Sequence, residues 1–288
     1  MRARLYRLAR ARPDEAVTWK QALGQALGAR VAATEPVSGG DINDAYRVRM
    51  DDSRVMFVKT HARPPAGMYA AEAAGLAWLH GPLRVPRVLA SGDQFLALEW
   101  LELGERGRGF DEALGRGLAH LHQLGAPHFG LERENFLATI PQDNTPEPDV
   151  ITFWIERRLR PLCTRARLGV DRQLDALAHD PDRFGPPEPP ARLHGDLWWG
   201  NVVACEGAPV VIDPAVYGGH REIDLAMLAL FGGISSALVA AYEEVTPLAA
   251  GWRDRVALWQ LYPLAAHAVL FGGGYGAQVV RSLGALTG

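Results

Sequence analysis

Leu193-His194-Gly195-Asp196-Leu197-Trp198-Trp199-Gly200-Asn201 and the echo Val210-Val211-Ile212-Asp213-Pro214 decide how this chain is read. Asp196 and Asn201 are five residues apart, and Asp213 follows twelve after Asn201. Transfer of a phosphoryl group asks for a carboxylate beside the attacking hydroxyl and hard oxygen ligands for magnesium. Asp196 is the candidate base, with Asn201 and Asp213 as candidate metal ligands. The apolar β-branched run Val210 to Ile212 predicts a buried strand that ends by presenting Asp213. Asp and Asn are also ordinary turn residues that bond to their own backbone. One of them alone would be read that way; three at this spacing are read as a site.

This is the spacing at which phosphotransferases with a kinase-like fold place a base and two metal ligands, and the N-terminal half agrees. Between Val37 and Val48, Gly39 and Gly40 followed by Asp41 separate two strand-like runs, a hairpin whose tip lets amides approach phosphate oxygens. Any hairpin can carry such a turn. Val55-Met56-Phe57-Val58-Lys59 is an apolar strand closed by a lysine, where kinase-like folds put the phosphate-binding ammonium. Alternation sets Phe57 and Lys59 on one face. In the helix expected from Met68 to Leu79, Glu72 is the sole carboxylate and the natural ion-pair partner of Lys59. Gln94 to Leu103 reads as a strand leading to a hinge, where backbone groups of Glu99, Trp100 and Leu101 can bind an adenine edge. The charged run Gly104 to Gly109 lacks a Lys-Ser/Thr ending and reads as a linker.

Composition bounds the rest. With 288 residues, 48% of them hydrophobic, the chain can bury one large core or two modest ones. A net charge of −3 and a pI near 6.3 give no general basic field for nucleic acid. Cys163 and Cys205 stand 42 apart with no Cys-x-x-Cys pair, against a disulfide framework or structural zinc and in favour of a reducing, cytoplasmic setting. No apolar run reaches the ~18 residues of a membrane span. The five arginines among the first twelve residues suggest a solvated leader over 1–17. Helices are expected from Thr18 to Gly28, from Phe110 to Leu124 and from Phe153 to Leu162. His120 and His122, two apart, cannot share a helix face as metal ligands. The long loop between Phe129 and Pro148 is a candidate substrate-side element. Asp224 stands before the apolar run Leu225 to Phe231, where it can cap that helix or brace the catalytic loop.

Several stretches together resemble the fructosamine kinase (ketosamine-3-kinase) family, a branch of the aminoglycoside-phosphotransferase-like kinases. They are Gly-Gly-Asp-Ile-Asn-Asp-Ala-Tyr at 39–46, Phe-Val-Lys at 57–59, His-Gly-Asp-Leu-Trp-x-Gly-Asn at 194–201 and Ile-Asp-Pro-Ala-Val-Tyr-x-Gly-His-Arg-Glu-x-Asp-Leu-Ala-Met at 212–227. Phe129 to Phe136 and Arg158-Leu159-Arg160-Pro161 are similar as well. The resemblance implies an α+β, bilobal protein-kinase-like fold: an N-lobe over 18–103 with an antiparallel sheet and a helix, and a mainly helical C-lobe over 104–288. It implies ATP and Mg2+, and phosphorylation of the sugar C3 hydroxyl of ketosamines, small molecules or glycated proteins, whose product sheds the sugar. Carried onto this chain, Asp196 orients and deprotonates the hydroxyl, Asn201 and Asp213 hold magnesium, and Lys59 and Glu72 hold phosphate. Trp198 packs against the sugar, and His220 lies on the substrate side. Two departures stand out: no cysteine between residues 38 and 46, which argues against redox control there, and Trp199 at a position often small, which is expected to narrow the pocket. A kinase of aminoglycoside or choline type and a nucleotide-binding pseudokinase are the alternatives.

Overall fold

The computed structural model describes residues 13–37 and 43–288. Gly39, Gly40, Asp41 and the arginine-rich start therefore lie outside the described residues. The chain divides into two compact units, one of residues up to 73 together with 87–100, the other of 74–86 together with 101–288.

The first unit holds α1 (Pro13–Leu27), β1 (Val31–Pro36), β2 (Asp44–Met50), β3 (Val55–Thr60), the first half of α2 (Met68–Leu79), β4 (Val88–Gly92) and β5 (Phe95–Glu99). The strands form one sheet in the order β1-β2-β3-β5-β4, every neighbour antiparallel. Trp19 and Leu23 of α1 pack on Val48, Met50, Met56, Val58, Phe95 and Ala97. Met56 and Val58 thus point into this core, and alternation leaves Phe57 and Lys59 for the other face. Helix α1 starts five residues before the expected Thr18. Pro13 followed by Asp14 and Glu15 is a helix-start pattern that apolar periodicity does not register. Gly28, at φ 65°, ends it in the left-handed conformation.

The second unit is mainly helical. It contains α3 (Phe110–Gln123), the short hairpin β6 (Phe136–Leu137) and β7 (Ile140–Pro141), α4 (Val150–Thr152), α5 (Arg160–Arg165) and α6 (Asp171–Ala178). After these come β8 (Ala191–Leu193), β9 (Val202–Cys205), β10 (Ala208–Val211), β11 (Tyr217–Gly219), α7 (Glu222–Leu230), α8 (Ser236–Val245), α9 (Trp252–Trp259), α10 (Leu261–Phe271) and α11 (Tyr275–Thr287). The expected Phe153–Leu162 helix is longer: α4 runs through a π-helical turn at Phe153–Leu159 into α5. Pro161 has no N–H to donate to the preceding turn, and a local change of helical register accommodates it. Among the described residues no helix is long and apolar enough to cross a membrane.

The loop region 129–148, expected on the substrate side, carries a buried polar scaffold. Asn135, Gln142 and Asn144 are buried in it. Asn135 Nδ2 donates to the Val216 carbonyl at 2.6 Å, and Gln142 Nε2 to the Ala215 carbonyl at 3.1 Å. Arg158, with no exposed surface, donates to the Asp143 carbonyl and to Asn144 Oδ1, while its guanidinium lies 4.4 Å from the Phe153 ring centroid and 4.1 Å from that of Tyr217.

Helices α3 and α8 approach closely at Gly115, where a Cβ would run into the Leu238 carbonyl. Gly115→Ala should therefore cost about 2 kcal/mol through overpacking. Gly284, inside α11 with open space around it, should behave oppositely: Gly284→Ala gains about 0.5–1 kcal/mol. Urea unfolding midpoints check both, and equal effects of one sign would contradict the packing described.

Candidate active site

In the second unit, β8 pairs with β11 and delivers the chain to His194. Gly195 turns it there at φ 80°, and a Cβ at that residue would strike the Ala215 carbonyl and approach the Tyr217 ring. Only glycine meets both demands. The backbone N–H groups of His194 and Gly195 donate to the Asp224 carboxylate at 2.8 and 3.0 Å, so Asp224 braces the loop that carries Asp196 from the first turn of α7. His122 Nε2, whose ring Nδ1 is 2.7 Å from the Tyr242 hydroxyl, lies 3.2 Å from the same carboxylate. Burial alone would push the Asp224 carboxyl up, but these partners outweigh it and hold it below the ordinary carboxylate range.

His194 ties the loop to the segment that ends at Asp213. Its Nδ1 accepts the Asp196 N–H at 3.3 Å, which puts the ring proton on Nε2, 3.0 Å from the Ile212 carbonyl. Asn201 accepts the Ile212 N–H on its own carbonyl at 3.0 Å. Asp196 and the residue before Asp213 are thus held by one ring and one peptide group. Asn201 Nδ2 donates to the Asp196 backbone carbonyl at 2.8 Å and to Asp196 Oδ2 at 3.1 Å. Burial, then the negative charges of Asp213 and Asp224, push the Asp196 carboxyl up to about 7 against the Asn201 hydrogen bond. Asp213 sits at φ 57°, a left-handed conformation that aspartate tolerates better than most residues. Two carboxylates and an amide oxygen form a hard, negatively charged donor set suited to Mg2+. With Asn201 Nδ2 spent on Asp196, its Oδ1 is the end that remains for a cation.

In the first unit, Lys59 Nζ lies 2.7 Å from Glu72 Oε1, the two side chains only 7% and 11% exposed. The expected ion pair is therefore present and nearly dry. Tyr69, three residues before Glu72, donates its hydroxyl hydrogen to Asn43 Oδ1 at 3.2 Å. At the hinge the Glu99 N–H donates to the Arg87 carbonyl at 2.9 Å, and the Arg47 guanidinium lies 5.1 Å from the Trp100 ring centroid. Leu101 opens the second unit outside any strand.

Trp198 is 37% exposed, its indole lying over Gly200, where any Cβ would collide with the ring, and 6.2 Å from Phe231. Phe231 continues to His267 at 5.3 Å, a row of rings that the sequence reading missed because α10 carries no polar pattern around His267. Trp199 is spent on packing: its Nε1 donates to the Gly233 carbonyl at 2.8 Å, its ring lies against Gly232, and the Arg106 guanidinium covers it at 4.5 Å. His220 needs correction. It is 2% exposed, stacked on Trp259 at 4.8 Å, and its Nδ1 accepts the Glu222 N–H, so it belongs to the core rather than to a substrate surface.

The family model described as fructosamine kinase matches residues 14–287. A probable ketoamine kinase of Enterococcus faecium is 40% identical over 261 residues, 86% of this chain and 93% of that protein. The chloroplastic protein-ribulosamine 3-kinase of Oryza sativa subsp. japonica is 33% identical over 273 residues, 88% of this chain and 78% of the relative. A Thermobifida fusca crystal structure assigned as a fructosamine-3-kinase superposes with a TM-score of 0.83 at 40% identity, covering 93% of this chain and 97% of the other.

Burial holds the imidazoles of His194 and His220 below their ordinary pKa. The unfolded chain therefore takes up protons below about pH 6.5 that the folded chain refuses, and stability falls as pH drops from 7 toward 5. Asp196, raised, works in the opposite direction, so the difference between variant and wild type is the clean measure. His220→Phe, which keeps the ring over Trp259, should show a shallower fall in Tm between pH 7.5 and 5.5. An unchanged pH slope would place the titration elsewhere.

Proposed function

The chain belongs to the fructosamine kinase family, and from that premise we propose that it transfers the γ-phosphoryl group of ATP to the C3 hydroxyl of ketosamines, with Asp196 as the residue that orients the hydroxyl and takes its proton. The observation that carries this reading is the bracing of Asp196. Its backbone is fixed through His194 and Asp224, its carboxylate is bonded to Asn201, and Asp213 is near enough to perturb it.

An aspartate is a weak base for an alcohol at rest, so its work lies in orientation and in accepting the proton late, as the loose transition state collapses. Asn201 Oδ1 and Asp213 would hold Mg2+, which when bound supplies charge neutralisation on the phosphate oxygens. Lys59, kept extended by Glu72, binds the α/β-phosphates, and the backbone of Glu99, Trp100 and Leu101 takes the adenine edge. Gly39, Gly40 and Asp41 cover the phosphates. The exposed indole face of Trp198 suits the C–H surface of a sugar. Phosphorylation at C3 leads to release of the sugar and recovery of the free amine, on small molecules or on glycated proteins.

ADP release with ribulosamine, erythrulosamine and fructosamine adducts tests this directly. Turnover should require both a ketosamine and Mg2+, and Asp196→Asn should lower kcat by on the order of 10² to 10⁴ with the KM for ATP little changed. Lys59→Met should instead raise the KM for ATP. ATP binding with no ketosamine turnover in the wild type would sink the proposal.

A further inference from the structure

A hollow lies beside Trp198, on the far side of Phe231. It has a volume of about 460 Å³ and is walled by Arg106, Asp111, Trp199, Phe231 and the turn Gly232 to Ser235, all within the second unit. Phe231 is shared: 45% exposed, it meets Trp198 edge to face on one side and lines the hollow on the other. A molecule lying on Trp198 is thus led over Phe231 into the hollow.

Two opposite charges wait there. Arg106 is exposed and stacked between the rings of Trp199 and Phe110, at 4.5 and 5.0 Å, and its guanidinium makes no ion pair or hydrogen bond with any described residue. The Asp111 carboxylate, in the first turn of α3, likewise has no side-chain partner among the described residues. The Ser235 hydroxyl is already used, capping α8 through the Leu238 N–H. The loop that carries Arg106 is built in place, because Gly104 N–H donates to the Ala204 carbonyl and Gly107 N–H to the Gly207 carbonyl, at 3.0 and 2.9 Å. At Gly107 a Cβ would crowd Gly207. The segment expected to be a linker is a fixed wall.

We propose that this hollow receives the amino-acid head group of a ketosamine formed on free lysine, the α-carboxylate pairing with Arg106 and the α-ammonium with Asp111. This rests on the reading that the sugar lies on Trp198. The four-methylene stem of lysine spans about 6 Å when extended, comparable with the 6.2 Å between the Trp198 and Phe231 rings. Aromatic faces suit both the methylenes and the protonated secondary amine that joins them to the sugar. A guanidinium stacked on an indole keeps its fork edge open, the geometry that grips a carboxylate. Trp199 therefore acts on selectivity as the platform for Arg106, not by narrowing the sugar face.

The test compares the fructosyl or ribulosyl adduct of free lysine with the same adduct of Nα-acetyl-lysine amide, which keeps the stem and removes both charges. The wild type should prefer the free-lysine adduct through KM, on the order of tenfold. Arg106→Gln and Asp111→Asn should each collapse the ratio of the two KM values toward one, and Arg106→Lys should restore part of it. Wild-type enzyme that treats the two adducts alike, or variants that keep the preference, overturn this proposal while leaving the kinase reading intact. Turnover of neither adduct overturns both.

Discussion

A carboxylate with no exposed surface, Asp224, receives the N–H groups of His194 and Gly195 and faces His122. Burying such a charge is costly unless donors surround it. Here the donors come from the loop whose shape matters, so satisfying the charge and fixing the loop are one event. Removing any donor would leave a buried anion under-bonded, and the loop backbone has no cheap alternative position. Asp196 inherits that rigidity two residues later.

The segment after Asp213 is held by a second device made without carboxylates. Arg158 places its charge against carbonyl and amide oxygens and the faces of Phe153 and Tyr217. Asn144, Asn135 and Gln142 pass the chain of hydrogen bonds on to the carbonyls of Ala215 and Val216, and Tyr262 closes it by donating to Gln142 Oε1 at 2.8 Å. A buried network of this kind rigidifies its surroundings, with only Arg158 Nε and the Tyr217 hydroxyl left without a hydrogen-bond partner among the described residues. Asp196 and Asp213 are thereby presented from two segments, each pinned from behind. Burial, and after it the charge of Asp213, raises the Asp196 carboxyl, and two carboxylates presented together favour a cation.

His220 shows how a motif misleads. Its neighbours in sequence look like a site because His, Arg and Glu cluster there. In the fold Glu222 accepts from Arg255 and from Trp259 Nε1, Arg221 pairs with Glu188, and His220 stacks on Trp259. The cluster is a buried ionic framework between α7 and α9. Clustered polarity served packing, and spacing could not reveal it because the partners lie more than thirty residues away in either direction.

The sequence by itself singled out the candidate site residues: Asp196, Asn201 and Asp213 by their spacing, and Lys59 and Glu72 by strand alternation and a lone helical carboxylate. Local period and turn residues gave individual strands and helices, while the antiparallel sheet and the helical remainder were implied by the family resemblance. Tertiary structure alone decided that Asp224 braces the loop, that Asn135, Gln142 and Arg158 are scaffold, that His220 is core, and that Arg106 and Trp199 wall a charged hollow. Each of those roles is set by a partner distant in the chain. Whether a polar side chain binds a ligand or satisfies a buried neighbour depends on which groups the fold brings within about 3 Å of it.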